Sequence, residues 1–329
     1  MNFAFTDDQL LLRDTARQLL GAECPTTLLR AHMDDLGAAD ALWGHVRDFV
    51  PLGLGPVTDL CVFMEELGSV AAPVPFFATA CLYAPLLDAI GEHDLDAVLD
   101  GHASGTVALA GSDGIWHPNG ETRKTFVPDV ATVDLVAAVG ADGAVTLLAA
   151  PPNDRIDTLD TTRCLYAVET AVPGTSAGTI SRPALDDVLA RATVALAAEM
   201  VGTARRLFDM TLTYAKERIQ FDVPIGSFQA VQHKLADMSL DVERAWSATY
   251  YAAMALDAAD DDRARAVHVA KAAAGEAAVR AAKDGIQIHG GIGFTWEHDL
   301  HLFIRRAYGA AALLGPTAWH HDRLADLLI

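Results

Sequence analysis

Residues Tyr214–Met238, YAKERIQFDVPIGSFQAVQHKLADM, decide the fold. Tyr214-Ala215-Lys216-Glu217-Arg218 continues an apolar stripe at helical spacing that begins near Leu189. Asp222-Val223-Pro224-Ile225-Gly226 breaks the stripe, because proline removes a backbone donor and glycine suits a turn. Ser227 then reads as the N-cap of a second helix carrying Phe228, Val231, Leu235 and Met238. Two long helices joined by a tight polar corner are predicted, with Arg218, Phe221 and Gln229 around the corner.

Outward from that corner the chain stays helical from Asp186 to Ile329. Asp186, just after Pro183, reads as the cap of a helix reaching about Arg218. Further helices follow over Ser227–Leu256, Asp262–Ile288 and Asp299–Leu314, with the acidic turn Asp257–Asp262 between the first two and a last helix at the C-terminus. Four antiparallel helices with short connections make a bundle, and its many alanines imply close helix approach. Upstream, Ser104 to Arg182 carries short apolar runs (Thr106–Ala110, Thr132–Val139, Ala144–Ala150, Leu165–Val168) punctuated by Gly, Pro, Asp and Thr, a strand-and-turn pattern. The first hundred residues return to helical spacing in Asp7–Leu20, capped by Thr6, and in Leu60–Val70 and Ala78–Ile90. Glu65 and Glu66 read as a solvated helix face. The expected fold class is α+β: an N-terminal helical domain (1–103), a small middle β domain (104–185) and a C-terminal four-helix bundle (186–329).

Of 329 residues, 51% are hydrophobic and 21% charged, enough to build a large core. No run of 18 apolar residues is present, so no membrane span is expected. Met1–Asp8 lacks the basic and apolar regions of a signal peptide. Cys24, Cys61, Cys81 and Cys164 lack metal-like spacing and read as free thiols of a cytoplasmic protein. A formal charge of −20 argues against nucleic acid or an anionic membrane as partner.

Arg218, Phe221, Pro224, Ile225, Phe228, Gln229, Leu235, Ala236, Asp237 and Met238 follow the pattern R-x-x-F-G-x-P-I-x-x-F-Q-x-x-x-x-x-L-A-D-M, with Asp222 in place of glycine. A second block, Gln287-Ile288-His289-Gly290-Gly291-Ile292-Gly293-Phe294, follows Q-x-x-G-G-x-G-[FY]. On these blocks the chain resembles the acyl-CoA dehydrogenase family of flavoproteins. Phe63–Val70 and Ala71–Phe76 resemble the E-E-L-G and A-P-V-P-F strings of its shorter actinobacterial-type branch, similar to subunits of steroid-degrading complexes.

The resemblance implies FAD as cofactor and an acyl-CoA thioester as substrate. The α-proton goes to a carboxylate, the β-hydride to the flavin, and electrons onward to an electron-transfer flavoprotein or similar acceptor. Arg218 offers a bidentate fork for the pyrophosphate, and Gly290 and Gly291 let backbone amides approach it. Gln287 adds a polar amide. The family's corner and glycine turn contact a flavin shared across a subunit interface, so the resemblance implies at least a dimer. Arg123–Asp129 resembles the K-x-W-I-T segment, which places Phe126 along the flavin ring. Of the T-E-P-x-A-G-S-D loop only Ala110-Gly111-Ser112-Asp113 remains.

The usual base stands in a [YL]-E-G-T string, matched here by Leu314-Gly315-Pro316-Thr317, which puts Gly315 in its place. A second family position falls at about Ala192. The nearest carboxylate is Glu199, about 10 Å further along the helix on nearly the same face. Its setting, Leu196-Ala197-Ala198-Glu199-Met200-Val201-Gly202, is apolar and would raise its pKa toward general-base work; a hydrogen-bonded buried glutamate or a polar lining of the acyl cavity are the alternatives. Glu217 and Asp129 are further candidates. Three readings follow: a self-sufficient homodimeric dehydrogenase, a base-lacking subunit of a heterotetramer with a paralogue, or a non-catalytic acyl-CoA-binding partner that has lost flavin.

Overall fold

α1 (Asp7–Glu23) begins where Thr6 and Gln9 cap each other's backbone, in a computed structural model that describes residues 3–92 and 94–329. Met1 and Asn2, the start of the N-terminal stretch without signal-peptide features, and His93 lie outside the described residues. There follow α2 (Thr26–Asp34), α3 (Asp40–Val46), α4 (Val57–Val70), a π-helical segment Phe77–Tyr83 running into α5 (Ala84–Ile90), and α6 (Leu95–Leu99). Pro56 cannot cap α4 with a side chain, so the cap comes from afar. The Asp257 carboxylate accepts from Val57 N at 2.6 Å, Thr58 N at 3.0 Å and Thr58 Oγ1 at 2.7 Å.

Seven strands follow: β1 (Gly105–Ala108), β2 (Arg123–Pro128), β3 (Leu135–Val139), β4 (Ala144–Ala149), β5 (Asn153–Ile156), β6 (Leu165–Glu169) and β7 (Thr175–Thr179). They form two sheets, ordered β1-β3-β4-β7 and β2-β6-β5, antiparallel except for the β1–β3 pair. Ala108, Val127, Val136, Leu148, Tyr166 and Val168 form a small core of their own there.

α7 (Arg182–Glu217) runs 36 residues and is capped by Ser181, whose hydroxyl accepts from Ala184 N; Asp186, expected as the cap, pairs instead with Arg182 at 2.8 Å. A two-residue-per-strand hairpin, β8 (Ile219–Gln220) and β9 (Val223–Pro224), turns the chain into α8 (Gln229–Asp257). Phe228, not Ser227, is the N-cap of α8, because the Ser227 hydroxyl donates to Pro224 O at 2.7 Å and leaves the helix end uncapped by a side chain. α9 (Arg263–His289), a short turn Gly290–Phe294, α10 (Leu300–Ala312) and α11 (Thr317–Leu328) complete the chain. No described helix is long and apolar enough to cross a membrane.

The long helices approach through alanine and glycine. α9 buries Ala266, Ala270, Ala274, Ala277, Ala278 and Ala281 on one face. α4 and α7 touch backbone to backbone: a Cβ on Gly68 would stand 1.9 Å from Glu199 O, and one on Gly202 would stand 1.9 Å from Glu65 O. This crossing corrects the solvated reading of Glu65 and Glu66. Glu65 accepts from Tyr250 Oη at 2.9 Å, and Glu66, with 6% of its side chain exposed, pairs with Arg17 at 2.6 Å. All four cysteines are free and buried. Burial pushes the Cys24 thiol up to about 12 and raises those of Cys61, Cys81 and Cys164.

Candidate functional site

The last turns of α7 and α9 and the first of α8 meet at one end of the bundle. Lys234 on α8 pairs with Asp284 on α9. The Tyr214 hydroxyl donates to His289 O at 3.4 Å while its ring stacks on that imidazole at 4.3 Å. Arg218, Phe221, Phe228 and Gln229 lie on the corner between α7 and α8, and Gln287, Gly290 and Gly291 lie at the end of α9 that these two contacts hold against the neighbouring helices. Phe221 and Asp222 take φ of 53° and 64°, the pair of left-handed residues a two-residue hairpin needs. Asp222, standing where the related pattern has glycine, is one of the few residue types that tolerates this backbone.

Phe221 is 86% exposed; Ile219, Val223 and Phe228 beside it in sequence are exposed too, as are Phe294 and Trp296 at and after the glycine turn. Arg218 is exposed and forms no ion pair among the described residues. A Cβ on Gly290 (φ +65°) or Gly291 would meet nothing within 4 Å, so this backbone is open to a ligand.

Phe126 lies elsewhere. It sits at φ 55° where the β2–β6 register slips, and it lines a largely apolar cleft of about 350 Å³ with Trp116, Leu165, Tyr308 and Leu313. That cleft lies between the β-strand region and α10 and shares no lining residue with the Arg218 corner. In the shortened loop, Ser112 is bound by Glu121, and Asp113 accepts from Ile115 N.

Beside the cleft lies a buried charge network. Glu199 is 2% exposed; Oε2 accepts from Arg163 Nη2 at 2.6 Å and Oε1 from Arg306 Nη1 at 3.0 Å. Arg306 also bonds Thr162 Oγ1 and the carbonyls of Ala71 and Ala72, and pairs with Asp160 at 3.3 Å. The apolar setting expected for Glu199 therefore holds only along its own helix. Two guanidiniums reach it from other elements, and both its oxygens are engaged, the arrangement of a hydrogen-bonded buried glutamate. Nothing in the sequence around Glu199 announces partners 36 and 107 residues away. Asp129 joins the network at φ 58° with Oδ2 unpartnered, and burial, partly opposed by Arg163, raises its carboxyl to about 7. Glu217 is exposed at the end of α7 and lines neither this cleft nor the next.

Gly315 takes φ +99°, and a Cβ there would stand 2.7 Å from the Trp319 ring and 3.2 Å from His320 Nε2. This loop cannot present a carboxylate at residue 315 without rearranging. Instead it is held by two buried side chains. Lys271 donates to Ala311 O at 3.2 Å and Gly315 O at 3.1 Å, and His320 Nε2 lies 3.1 Å from Leu314 O. His320 Nδ1 lies 2.9 Å from His268 Nδ1. Burial lowers the Lys271 amine to about 7; burial with Lys271 nearby lowers His320 to about 3. Sequence reading passed over all three, although a lysine and a histidine inside the alanine-rich α9 were a visible signal. His268 and His320 line a second cleft of about 570 Å³ with Leu189, Thr193, Leu314 and Trp319; Ala192 is fully buried next to Thr193. Trp116 borders both clefts.

Residues 184–329 match the family model described as acyl-CoA dehydrogenase, C-terminal domain. Acyl-CoA dehydrogenase IpdE2 of Mycolicibacterium smegmatis is 32% identical, over 97% of this chain and 98% of the relative. Two solved complexes superpose over nearly whole chains. The ChsE4–ChsE5 complex from Mycobacterium tuberculosis gives a TM-score of 0.87 at 26% identity, over 100% of this chain and 99% of that one. The steroid ACAD Tcur3481–Tcur3483, as a variant, gives 0.85 at 29% identity, over 98% of each chain.

Proposed function

The chain belongs to the acyl-CoA dehydrogenase family, and on that footing we propose that it is an FAD-dependent dehydrogenase subunit that works in a hetero-oligomer with a paralogous chain. One observation supports this reading above the others: the Phe126 cleft and the Arg218 corner share no lining residue within one chain. A dinucleotide lying against Phe126 would need its corner contacts from a second subunit, and the exposed apolar hairpin around Phe221 offers a surface for one. The residues fit FAD. The cleft is apolar and aromatic, as a flavin ring requires, and the glycine turn is open beside an arginine with no ion-pair partner among the described residues. When bound, FAD supplies the hydride acceptor. Phe126 would lie along the ring, Trp116 stands where the two clefts adjoin, and Arg218 and Gln287 would bind polar groups of the neighbour's dinucleotide.

Pairing with a paralogue is favoured by the likeness to two solved complexes of paired chains; within this chain neither family base position carries a carboxylate and Glu199 has both oxygens bound. An acyl-CoA thioester of steroid origin, electron-transfer flavoprotein as acceptor, a cytoplasmic location and division at residues 103/104 and 185/186 complete the proposal. Its support is the likeness to a steroid ACAD. Arg218→Ala removes a charge-assisted contact and should weaken FAD retention by about 10- to 100-fold. Unchanged flavin content and affinity in the purified complex would contradict the assignment.

A further inference from the structure

We propose that His268, oriented by His320, is a non-carboxylate proton acceptor for the α-carbon of an acyl thioester lying in the cleft between α7, α9 and α11; this deepens the dehydrogenase reading and rests on it.

The hydrogen bonds assign the protons. Leu314 O can only accept, so His320 carries its hydrogen on Nε2. Its Nδ1 is then bare and must accept, which puts the hydrogen of His268 on Nδ1 across the 2.9 Å contact. His268 Nε2 is left as a lone pair, with no protein hydrogen-bond partner among the described residues, on a side chain that lines the cleft. The chain of bonds starts at the loop Leu314-Gly315, where the related string carries its base. A Cβ on Gly315 would point at the Trp319–His320 pair, so the Trp319 indole and the His320 imidazole occupy space that a side chain at 315 would need.

Charges around the pair keep it neutral. Lys271 lies one helical turn from His268 on α9, and Arg323 approaches from α11; burial and Arg323 hold His268 below its ordinary value. Arg182 and Asp186 on α7 and His117 after β1 also line the cleft, with Arg182 and Asp186 paired to each other. Trp116, Leu189 and Val267 supply an apolar floor.

In the step, the Cα–H bond breaks, its electron pair stays on the substrate as the thioester enolate, and the proton goes to His268 Nε2. Return of a solvent-derived proton to carbon regenerates both partners, so exchange needs no oxidant. The purified flavin-loaded complex, incubated with a panel of saturated acyl-CoA thioesters in deuterium oxide, should therefore wash deuterium into the α-position, read by mass spectrometry. His268→Gln should lower that exchange by about 10²–10⁴-fold with flavin content unchanged. The wild-type rate should fall only below about pH 6.5, as the imidazole gains its proton. Exchange that survives in His268→Gln, or none with any thioester, overturns the proposal.

The tautomers give a second reading that does not depend on turnover. Nitrogen-15 spectra should show a bare Nε2 on His268 and a protonated Nε2 on His320. His320→Phe should release the His268 hydrogen from Nδ1 to Nε2, which a merely packing role would not do. A protonated Nε2 on His268 in the wild-type protein refutes the mechanism. Loss of flavin from the wild-type complex would instead refute the dehydrogenase reading, and the nitrogen spectra would still report on the pair.

Discussion

Glu199→Gln distinguishes a structural carboxylate from a catalytic one. Glutamine keeps the shape but presents one carbonyl and one amide where two guanidiniums now donate at 2.6 and 3.0 Å. One arginine keeps an acceptor, while the other, either Arg163 or Arg306, faces an N–H donor inside a site where all three side chains are under a tenth exposed. Breaking a buried ion pair from one side typically removes about 3–5 kcal/mol, because the remaining charge is buried without compensation. For a chain of 329 residues, 1 kcal/mol corresponds to about 1.4 °C in Tm, so the midpoint should drop by about 4–7 °C. The assay is thermal unfolding of the flavin-loaded complex followed by circular dichroism, with turnover measured well below the transition. Turnover per folded molecule should change by less than about tenfold, since a general base is worth about 10²–10⁴. A Tm within about a degree of wild type together with a thousandfold loss of turnover would refute this reasoning and restore Glu199 as the base.

Gly202→Ala places a methyl 1.9 Å from the Glu65 carbonyl oxygen, and backbone cannot swing aside. Urea titration should show a loss of about 3 kcal/mol or more, and Gly68→Ala on the facing helix should behave alike. The two together should lose less than their sum, because either one already separates the helices. Asp129 acts through pH. Its folded carboxyl, raised to about 7 from 3.8, holds a proton that the unfolded chain releases, so stability falls as pH rises through that window. Asp129→Asn imitates the protonated form and tolerates φ 58°; unfolding midpoints measured from pH 4 to pH 8 should lose most of that decline.

The helices were legible because each long one buries an apolar face at 3.6-residue spacing. Thr6 at the first cap was legible because Gln9 completes a local pattern. β1, β3, β4 and β6 announced themselves as apolar runs. β5 (Asn153–Ile156) and β7 (Thr175–Thr179) did not, since both lie at sheet edges with largely exposed residues and no alternation to read. β2 appeared only as a motif, its strand character hidden by the irregular register around Phe126. Caps failed where a competitor was available: Ser227 turned to Pro224, and Asp186 to Arg182. At the site, residues of one corner could be grouped from sequence, as Arg218, Phe221 and Gln229 were, whereas Gln287 was joined to them only through the family resemblance. The fate of Glu199 was set by Arg163 and Arg306 on distant elements. The fate of Gly315 was set by Trp319 and His320, whose contact needs the loop's left-handed backbone.

The four buried cysteines make the chain its own gauge of opening. A thiol whose ionisation is suppressed by burial reacts only when the surrounding structure parts, so its labelling rate measures a local opening free energy. Cys24 ends α1, Cys61 lies in α4, Cys81 in the π-helical segment and Cys164 just before β6. Four reporters thus sit in three neighbourhoods of one chain, since Cys81, 3.8 Å from Met64 Sδ on α4, shares its surroundings with Cys61. Cys61 is fully covered against α7, its thiol 3.8 Å from Val194 O, and should label only with global unfolding. Cys24 and Cys164 are marginally more open and should record the earlier partings of the first helix and of the strands.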